Sequence, residues 1–151
     1  MDPYKTLAVA KRMSRVYGDI CAPYLKKAGI SQLDFDIIMF LHSQKNKCTA
    51  SEICDSCYVK KNVVSMHIER LVLAGYIKRE DVPGDRRKVR LVLSEKAEKI
   101  ALKGEMLQHK FMARITRGIA DEDKAAFERI LKRLEENSTD PAITDCTGLD
   151  I

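Results

Sequence analysis

The sequence lacks the short motifs by which many enzymes are recognised. It has no Gly-rich phosphate loop, no Gly-x-Ser-x-Gly nucleophile motif and no pair of histidines spaced to share one face of a helix. Its three histidines offer little acid–base material. We therefore expect a protein that is not an enzyme and that holds no cofactor.

Signals for membrane insertion and secretion are missing as well. No apolar run approaches the roughly 20 residues that a bilayer requires, and residues 1–5 do not begin the charged and then apolar pattern of a secretory signal. The chain has five cysteines: Cys21, Cys48, Cys54, Cys57 and Cys146. An odd number of cysteines in a chain without a secretory signal predicts reduced thiols instead of a disulfide framework. We expect a cytoplasmic protein with no membrane partner.

The positive charge is concentrated in one third of the chain. The length of 151 residues predicts one domain, and the 45% hydrophobic content predicts that it folds. The net charge is +5. Residues 44–94 contain 11 Lys/Arg and 6 Asp/Glu, whereas the remainder has 16 of each sign. This placement indicates a surface for a polyanion, although a solvated charged face is the alternative.

Apolar spacings of three and four residues predict a mainly α-helical fold with a small β-hairpin wing. A first helix spans residues 5–28, a second follows Ser31, a third begins at the Thr49–Glu52 capping box, and a fourth runs from 61 to the Gly75 stop. Residues 76–93 alternate as a hairpin with a basic tip. A fifth helix follows Ser94 to about Arg117, and a sixth begins at Asp121.

Two short helices joined by a tight connection and followed by a hairpin are typical of a winged helix-turn-helix. In that fold the second helix of the pair enters the major groove of DNA. Lys60 and Lys61 lie at the positive end of helix four, where a cation is unfavourable for the isolated helix. Their position is explained if phosphates bind there, and a solvated loop is the alternative.

The hairpin region resembles the MarR (multiple antibiotic resistance regulator) family. The sequence pattern of the family in this region is matched by Leu71, Gly75-Tyr76-Ile77, Arg79, Asp85-Arg86-Arg87 and Leu91-Val92-Leu93-Ser94. Gly29-Ile30-Ser31-Gln32 is similar to the family's start of helix two, and the order of helices fits from residue 5 to about 136. The resemblance therefore leaves only the tail uncovered.

This resemblance implies a homodimer on a pseudo-palindromic DNA operator. Residues 1–151 would form a single MarR-like domain, with dimerisation helices at 5–28 and 94–136, a DNA-binding lobe at 31–93 and a flexible tail or arm at 137–151. Three amphipathic helices near the chain ends also carry more apolar surface than one small lobe can cover, which agrees with a dimer, while packing within a monomer is the alternative. Two-fold symmetry would place the reading helices about 34 Å apart.

We expect the contacts with double-stranded DNA to come from helix four and the wing. Asn62, Ser65 and Met66 would reach base edges, because they occupy the outward positions at the start of helix four. The resemblance implies that Arg86 or Arg87 enters the minor groove, with Asp85 orienting the arginine. The basic residues expected to meet DNA, mainly at phosphates, are Lys60, Lys61, Arg70, Lys78, Lys88 and Arg90.

Two cysteine-based mechanisms and a protein-binding role are the alternatives to this function. Cys54, Cys57 and His67 could hold zinc or copper(I), but core packing of these residues is the favoured interpretation. A thiol switch at Cys21 or Cys48 would make the protein a redox-responsive regulator of the same fold. A winged-helix module that binds protein is a further alternative, disfavoured by the basic helix-four start and the arginine-bearing wing.

A small aromatic or anionic effector is the final expectation. The family often binds such molecules in a cleft between the DNA-binding lobe and the dimerisation region. The candidate lining residues are Tyr17, Tyr24 and His109, which could equally belong to an interface core. The predicted function is a ligand-responsive repressor of transcription.

Overall fold

The structure is a computed structural model that describes residues 2–45, 48–57 and 59–140, with the side chains of Cys57, Arg86 and Arg87 outside the description. Its elements in chain order are the helices α1 (Pro3–Ala28), α2 (Gln32–Ser43), α3 (Ala50–Cys57) and α4 (Lys61–Leu73), the strands β1 (Ile77–Val82) and β2 (Asp85–Leu93), and the helices α5 (Glu95–Ile115) and α6 (Asp121–Ser138). The predicted fold class is confirmed. The chain divides into two compact units, Met1–Phe111 and Met112–Ile151.

Side-chain caps begin α2 and α3, as the sequence predicts. The Ser31 hydroxyl accepts from the Asp34 backbone N–H, and the Asp34 carboxylate accepts from the Ser31 backbone N–H at 2.9 Å. Thr49 and Glu52 form the same reciprocal arrangement, with the Thr49 N–H donating to Glu52 at 2.6 Å. Gly75 follows α4 with φ of 75°, a left-handed conformation that glycine adopts without strain.

The core of the first unit is built around α2. Because α2 is apolar nearly all round, it packs on neighbours from several sides and Phe35, Ile37, Ile38 and Leu41 are completely buried. The other elements add buried apolar side chains to this core: Ile53, Val64, Ile68, Leu71, Ile77, Leu91 and Leu93. This packing fixes α4 and the base of the hairpin on a common support.

A close approach between α5 and α2 depends on Gly104. A methyl group added at this position would lie 2.7 Å from the Phe35 Cζ atom and still closer to the Met39 sulphur. Contacts that short require one of the neighbours to move. Glycine at this point of α5 therefore permits the α2–α5 packing.

The hairpin is antiparallel and irregular near its tip. Ile77 pairs with Leu93 at the base, and the register continues to Asp81 opposite Val89. The next pair is Val82 with Asp85, so residues 86–88 of β2 have no counterparts on β1 and form a bulge. The base is held by a 2.9 Å hydrogen bond from the Leu91 N–H to the Cys48 carbonyl, while β1 is exposed from Lys78 to Asp81.

The second unit, Met112–Ile151, contains the end of α5 and all of α6. Helix α6 buries no residue, and its apolar side chains Phe127, Ile130, Leu131 and Leu134 are between 46% and 54% exposed. The expected tail begins within this helix, since α6 extends to Ser138, and its residues 141–151 lie outside the described part of the chain. Among the described helices, none has the length and apolarity to cross a membrane.

Candidate nucleic-acid interface

Helix α4 presents one face to the core and the opposite face to solvent. Val64 and Ile68 are buried against α2 and its neighbours, because they recur at a spacing of four residues. The same spacing leaves Asn62, Ser65 and Met66 exposed. The three residues predicted to reach base edges thus lie together on the solvent side of α4.

The start of α4 combines two lysines with the positive end of a helix. Lys60 is the N-cap residue and makes no side-chain hydrogen bond to the helix, and both Lys60 and Lys61 are exposed. No acidic residue lies in the first turn to offset this charge. Lysines and outward backbone N–H groups together favour binding of an anion.

The wing carries further exposed basic residues. Lys78 begins the exposed part of β1, Lys88 lies within the bulge of β2, and Arg90 is half-buried next to it. The Lys88 ammonium lies 3.9 Å from the Asp85 carboxylate. The backbone of Arg86 and Arg87 lies in the same bulge, but the predicted pairing of Asp85 with an arginine falls outside the described side chains.

An ion pair between Glu69 and Arg79 was not foreseen from the sequence. The Arg79 guanidinium makes two contacts with the Glu69 carboxylate, one of 3.3 Å from Nη1 to Oε2 and a shorter one from Nη2 to Oε1. The pair joins the exposed face of α4 to strand β1 of the wing. It also offsets the one acidic side chain of α4, which would otherwise oppose a polyanion on this face.

A second unforeseen group surrounds Asp34, the one charged residue buried among the described side chains. Its Oδ1 atom accepts from His67 Nδ1 at 2.8 Å, and its Oδ2 atom accepts from the Ser31 hydroxyl at 2.8 Å and from Arg70. Arg70 also donates to the Ser31 hydroxyl at 3.0 Å. We call Ser31, Asp34, His67 and Arg70 the Asp34 cluster; it links the start of α2 to α4.

The cluster keeps the buried carboxyl group ionised. Burial by itself raises the pKa of Asp34, but hydrogen bonds from the Ser31 backbone, His67 and the Ser31 side chain, together with the Arg70 charge, outweigh burial and lower this pKa below its ordinary value. His67 Nδ1 donates to this carboxylate, so it cannot also accept from Arg70 at 3.2 Å. The partly buried His67 imidazole is thus paired with a carboxylate.

The burial and the neighbours of the cysteines bear on the redox and metal alternatives. Burial raises the pKa of Cys21 and of Cys48, which disfavours the reactive thiolate at both positions. Cys54 is partly buried against the core, and the Cys57 side chain is not described. Within the described residues, no group of three or more His, Cys, Asp and Glu side chains is arranged to hold a metal ion.

A cavity of about 310 Å³ opens between α2 and α5 in the first unit. Its lining residues are Met39, Phe40, His42, Ser43, Glu105 and Gln108. Beside it, His42 Nδ1 lies 2.8 Å from Glu98 and Nε2 lies 4.0 Å from Glu105. The cavity therefore combines apolar surface with a carboxylate and an imidazole.

None of the three residues predicted to bind an effector is among those that line this cavity. Gln108, which does line it, donates to the Tyr17 hydroxyl at 3.1 Å, and burial raises the pKa of Tyr17 to about 12. Tyr24 packs edge-on against Phe35 at 6.5 Å between ring centroids. His109 is 80% exposed on the outside of α5.

Known proteins share both the sequence pattern and the fold. Residues 28–88 match the model of the MarR family. The reduced form of MarR from E. coli is 20% identical, with 89% of this chain and 97% of that chain covered and a TM-score of 0.66. A MarR family regulator from Silicibacter pomeroyi is 19% identical, with 85% of this chain and 86% of that chain covered and a TM-score of 0.75. A MarR regulator from Methanosarcina mazei is 19% identical, with 91% of this chain and 92% of that chain covered and a TM-score of 0.76.

No curated protein matches the chain in sequence. The solved structures show the fold, and the family model matches the stretch that contains α2, α3, α4 and most of the hairpin. Together they confirm the resemblance to the MarR family that the hairpin motif indicated. The chain has the winged-helix fold of MarR family transcription regulators.

Proposed function

We propose that this MarR-type winged-helix chain is a sequence-specific double-stranded DNA-binding repressor that acts as a homodimer. The observation that carries the proposal is the shared location of three features in the first unit. The outward face of α4, the lysines at its start and the basic bulge of the wing all belong to the stretch with excess positive charge. Such a surface suits the phosphate backbone and the major groove of DNA.

The residues divide by the part of the DNA that they would contact. Asn62, Ser65 and Met66 would meet base edges, since they are exposed on α4 beyond its basic start. Arg86 or Arg87 would enter the minor groove from the bulge, with Asp85 orienting the arginine. The cations assigned to phosphates are Lys60, Lys61, Lys78, Lys88 and Arg90.

The homodimer is supported by apolar side chains that remain exposed in each unit. In the first unit, Tyr4, Leu7 and Val9 of α1 are between 56% and 82% exposed. In the second unit, the apolar side chains of α6 are about half exposed. Exposed apolar faces on long helices favour association with a second copy of the chain, and two-fold symmetry would then supply two DNA-binding lobes.

Release from DNA would follow binding of a small effector. The cavity between α2 and α5 is large enough for a small aromatic molecule, and Met39 and Phe40 give it an apolar wall. Glu105 at the rim disfavours an anion and favours a neutral or cationic group beside it. An effector that binds one separation of the two lobes better than another would shift the dimer between DNA-bound and free forms.

Equilibrium binding to two DNA fragments tests the proposal. One fragment is the promoter upstream of the chain's own gene, and the other is a scrambled duplex of the same length and composition. A sequence-specific regulator should prefer the promoter by roughly 1,000-fold or more. Equal binding to both fragments would contradict the proposal, and an absence of DNA binding would favour the protein-interaction module.

A further inference from the structure

We infer that Arg70 is a positioning residue that orients the DNA-reading helix α4 through Asp34, and does not act as a phosphate contact. The inference rests on the proposed function and assigns a role to the Asp34 cluster. Arg70 projects from α4, but its guanidinium already donates to the Asp34 carboxylate and to the Ser31 hydroxyl on the α2 side. An arginine committed to these acceptors is less available to a phosphate.

The burial of Asp34 makes this commitment strong. The Asp34 side chain is 3% exposed, whereas that of Arg70 is 56% exposed. A buried carboxylate without a charged partner is unfavourable, so Arg70 is held more tightly by Asp34 than an exposed ion pair would hold it. His67, one turn before Arg70, gives α4 a second contact with the same carboxylate at 2.8 Å.

The geometry of the two contacts restricts the rotation of α4. His67 and Arg70 are three residues apart and lie on the flank of α4 from which their side chains reach Asp34 of α2. Asn62, Ser65 and Met66 lie on the outward side. A rotation of α4 about its axis would move both contacts away from Asp34 and would turn the outward residues away from the base edges.

Comparison of operator and non-specific affinities over a range of salt concentrations tests this inference. The wild-type protein is measured first, on the promoter and on scrambled DNA. In Arg70→Gln, operator affinity should fall by about 10- to 100-fold, the range expected for a lost charged hydrogen bond. Affinity for scrambled DNA and the salt dependence should stay at wild-type values.

Lys61→Gln is the matched control, because it removes one exposed positive charge from the same helix. It should weaken binding to both DNAs and reduce the salt slope by about 1, as expected for a phosphate contact. Asp34→Asn is the second variant and should reproduce the Arg70→Gln pattern. The double variant should lose no more operator affinity than either single change, since both break the same link.

Several results would overturn the inference. Arg70→Gln could behave like Lys61→Gln, which would make Arg70 a phosphate contact. It could bind the operator as wild type does, or it could lose operator and scrambled binding in equal proportion, as a change in folded fraction alone predicts. A wild-type protein that does not distinguish the two DNAs would instead refute the proposed function, and the variants would not be needed to see it.

Discussion

The first unit and α6 differ in how their apolar side chains are covered. In the first unit, α2 is buried on several sides, and α4 and the hairpin base rest on it. In α6, the helix pattern is as regular, yet no residue is buried and four large apolar side chains are about half exposed. Helix α4 and the hairpin therefore have a support within one chain, whereas the exposed apolar side of α6 is typical of a helix that packs on a partner surface.

The largest effect should come from the wing of the first unit. Replacing Arg86 and Arg87 together with alanine should reduce operator affinity by at least about 100-fold and reduce the salt slope by about 2. Fluorescence anisotropy titrations over a range of salt concentrations would measure both. The adjacent pair Lys26→Ala with Lys27→Ala removes the same charge from the end of α1 and should leave binding nearly unchanged. Equal losses in the two double variants would show that only net charge matters.

A smaller but distinct effect is expected in α6. Leu131→Glu places a charge on the exposed apolar side of the helix and should raise the dimer dissociation constant by about 100-fold. Sedimentation velocity over a concentration series would measure the change. Lys132→Glu alters the neighbouring exposed position and should leave the dimer intact. A Leu131→Glu protein that sediments as wild type does would remove α6 from the interface.

Substitution of Gly104 tests the close packing of α5 against α2 in the first unit. Gly104→Ala should lower the free energy of unfolding by about 1–3 kcal/mol, because the added methyl group overlaps Phe35 and Met39. Gly18→Ala in α1 meets nothing within 4 Å and should raise this free energy by up to about 1 kcal/mol. Denaturant unfolding of both variants gives the comparison. A stabilised Gly104→Ala protein would contradict the close α2–α5 approach.

The smallest effect concerns pH. The folded-state pKa of Asp34 is below the ordinary value of 3.8, so its contribution to stability is present at neutral pH and is lost as pH falls below that value and through the folded-state pKa. Wild-type stability should therefore fall more steeply over this acidic range than that of Asp34→Asn. Thermal melts at a series of acidic pH values would measure the two slopes. Parallel slopes would mean that the pKa of Asp34 is not lowered by folding.

Local patterns in the sequence predicted most of the fold. The caps at Ser31 and Thr49 and the stop at Gly75 involve residues within a few positions of one another, so their side chains and backbone could be paired from spacing alone. The exposed residues of α4 follow from the same periodicity, since Val64, Ile68 and Leu71 are buried. The helix ends and the exposed face of α4 could therefore be predicted from the sequence.

Contacts between distant positions could not be predicted in this way. Asp34 and Arg70 are 36 residues apart, and Glu69 and Arg79 approach only because the chain turns between α4 and β1. The packing role of Gly104 could not be predicted either. A glycine inside a helical pattern indicates only a less stable helix, and its contact with Phe35 and Met39 depends on the tertiary structure. The cavity likewise depends on how α2 packs against α5, and its lining does not include the candidates Tyr17, Tyr24 and His109.

In the proposed dimer, two copies of the DNA-reading unit, joined through their helical ends, bind one operator together. Moving the two half-sites of the operator apart by about 5 base pairs tests it directly, because half a helical turn places the second half-site on the opposite side of the duplex. Affinity should fall close to that for scrambled DNA. It should recover in part when a full turn of about 10 base pairs is inserted, because the two half-sites then face the same side again. Affinity that is unchanged by the half-turn insertion would contradict a symmetric two-lobed reader.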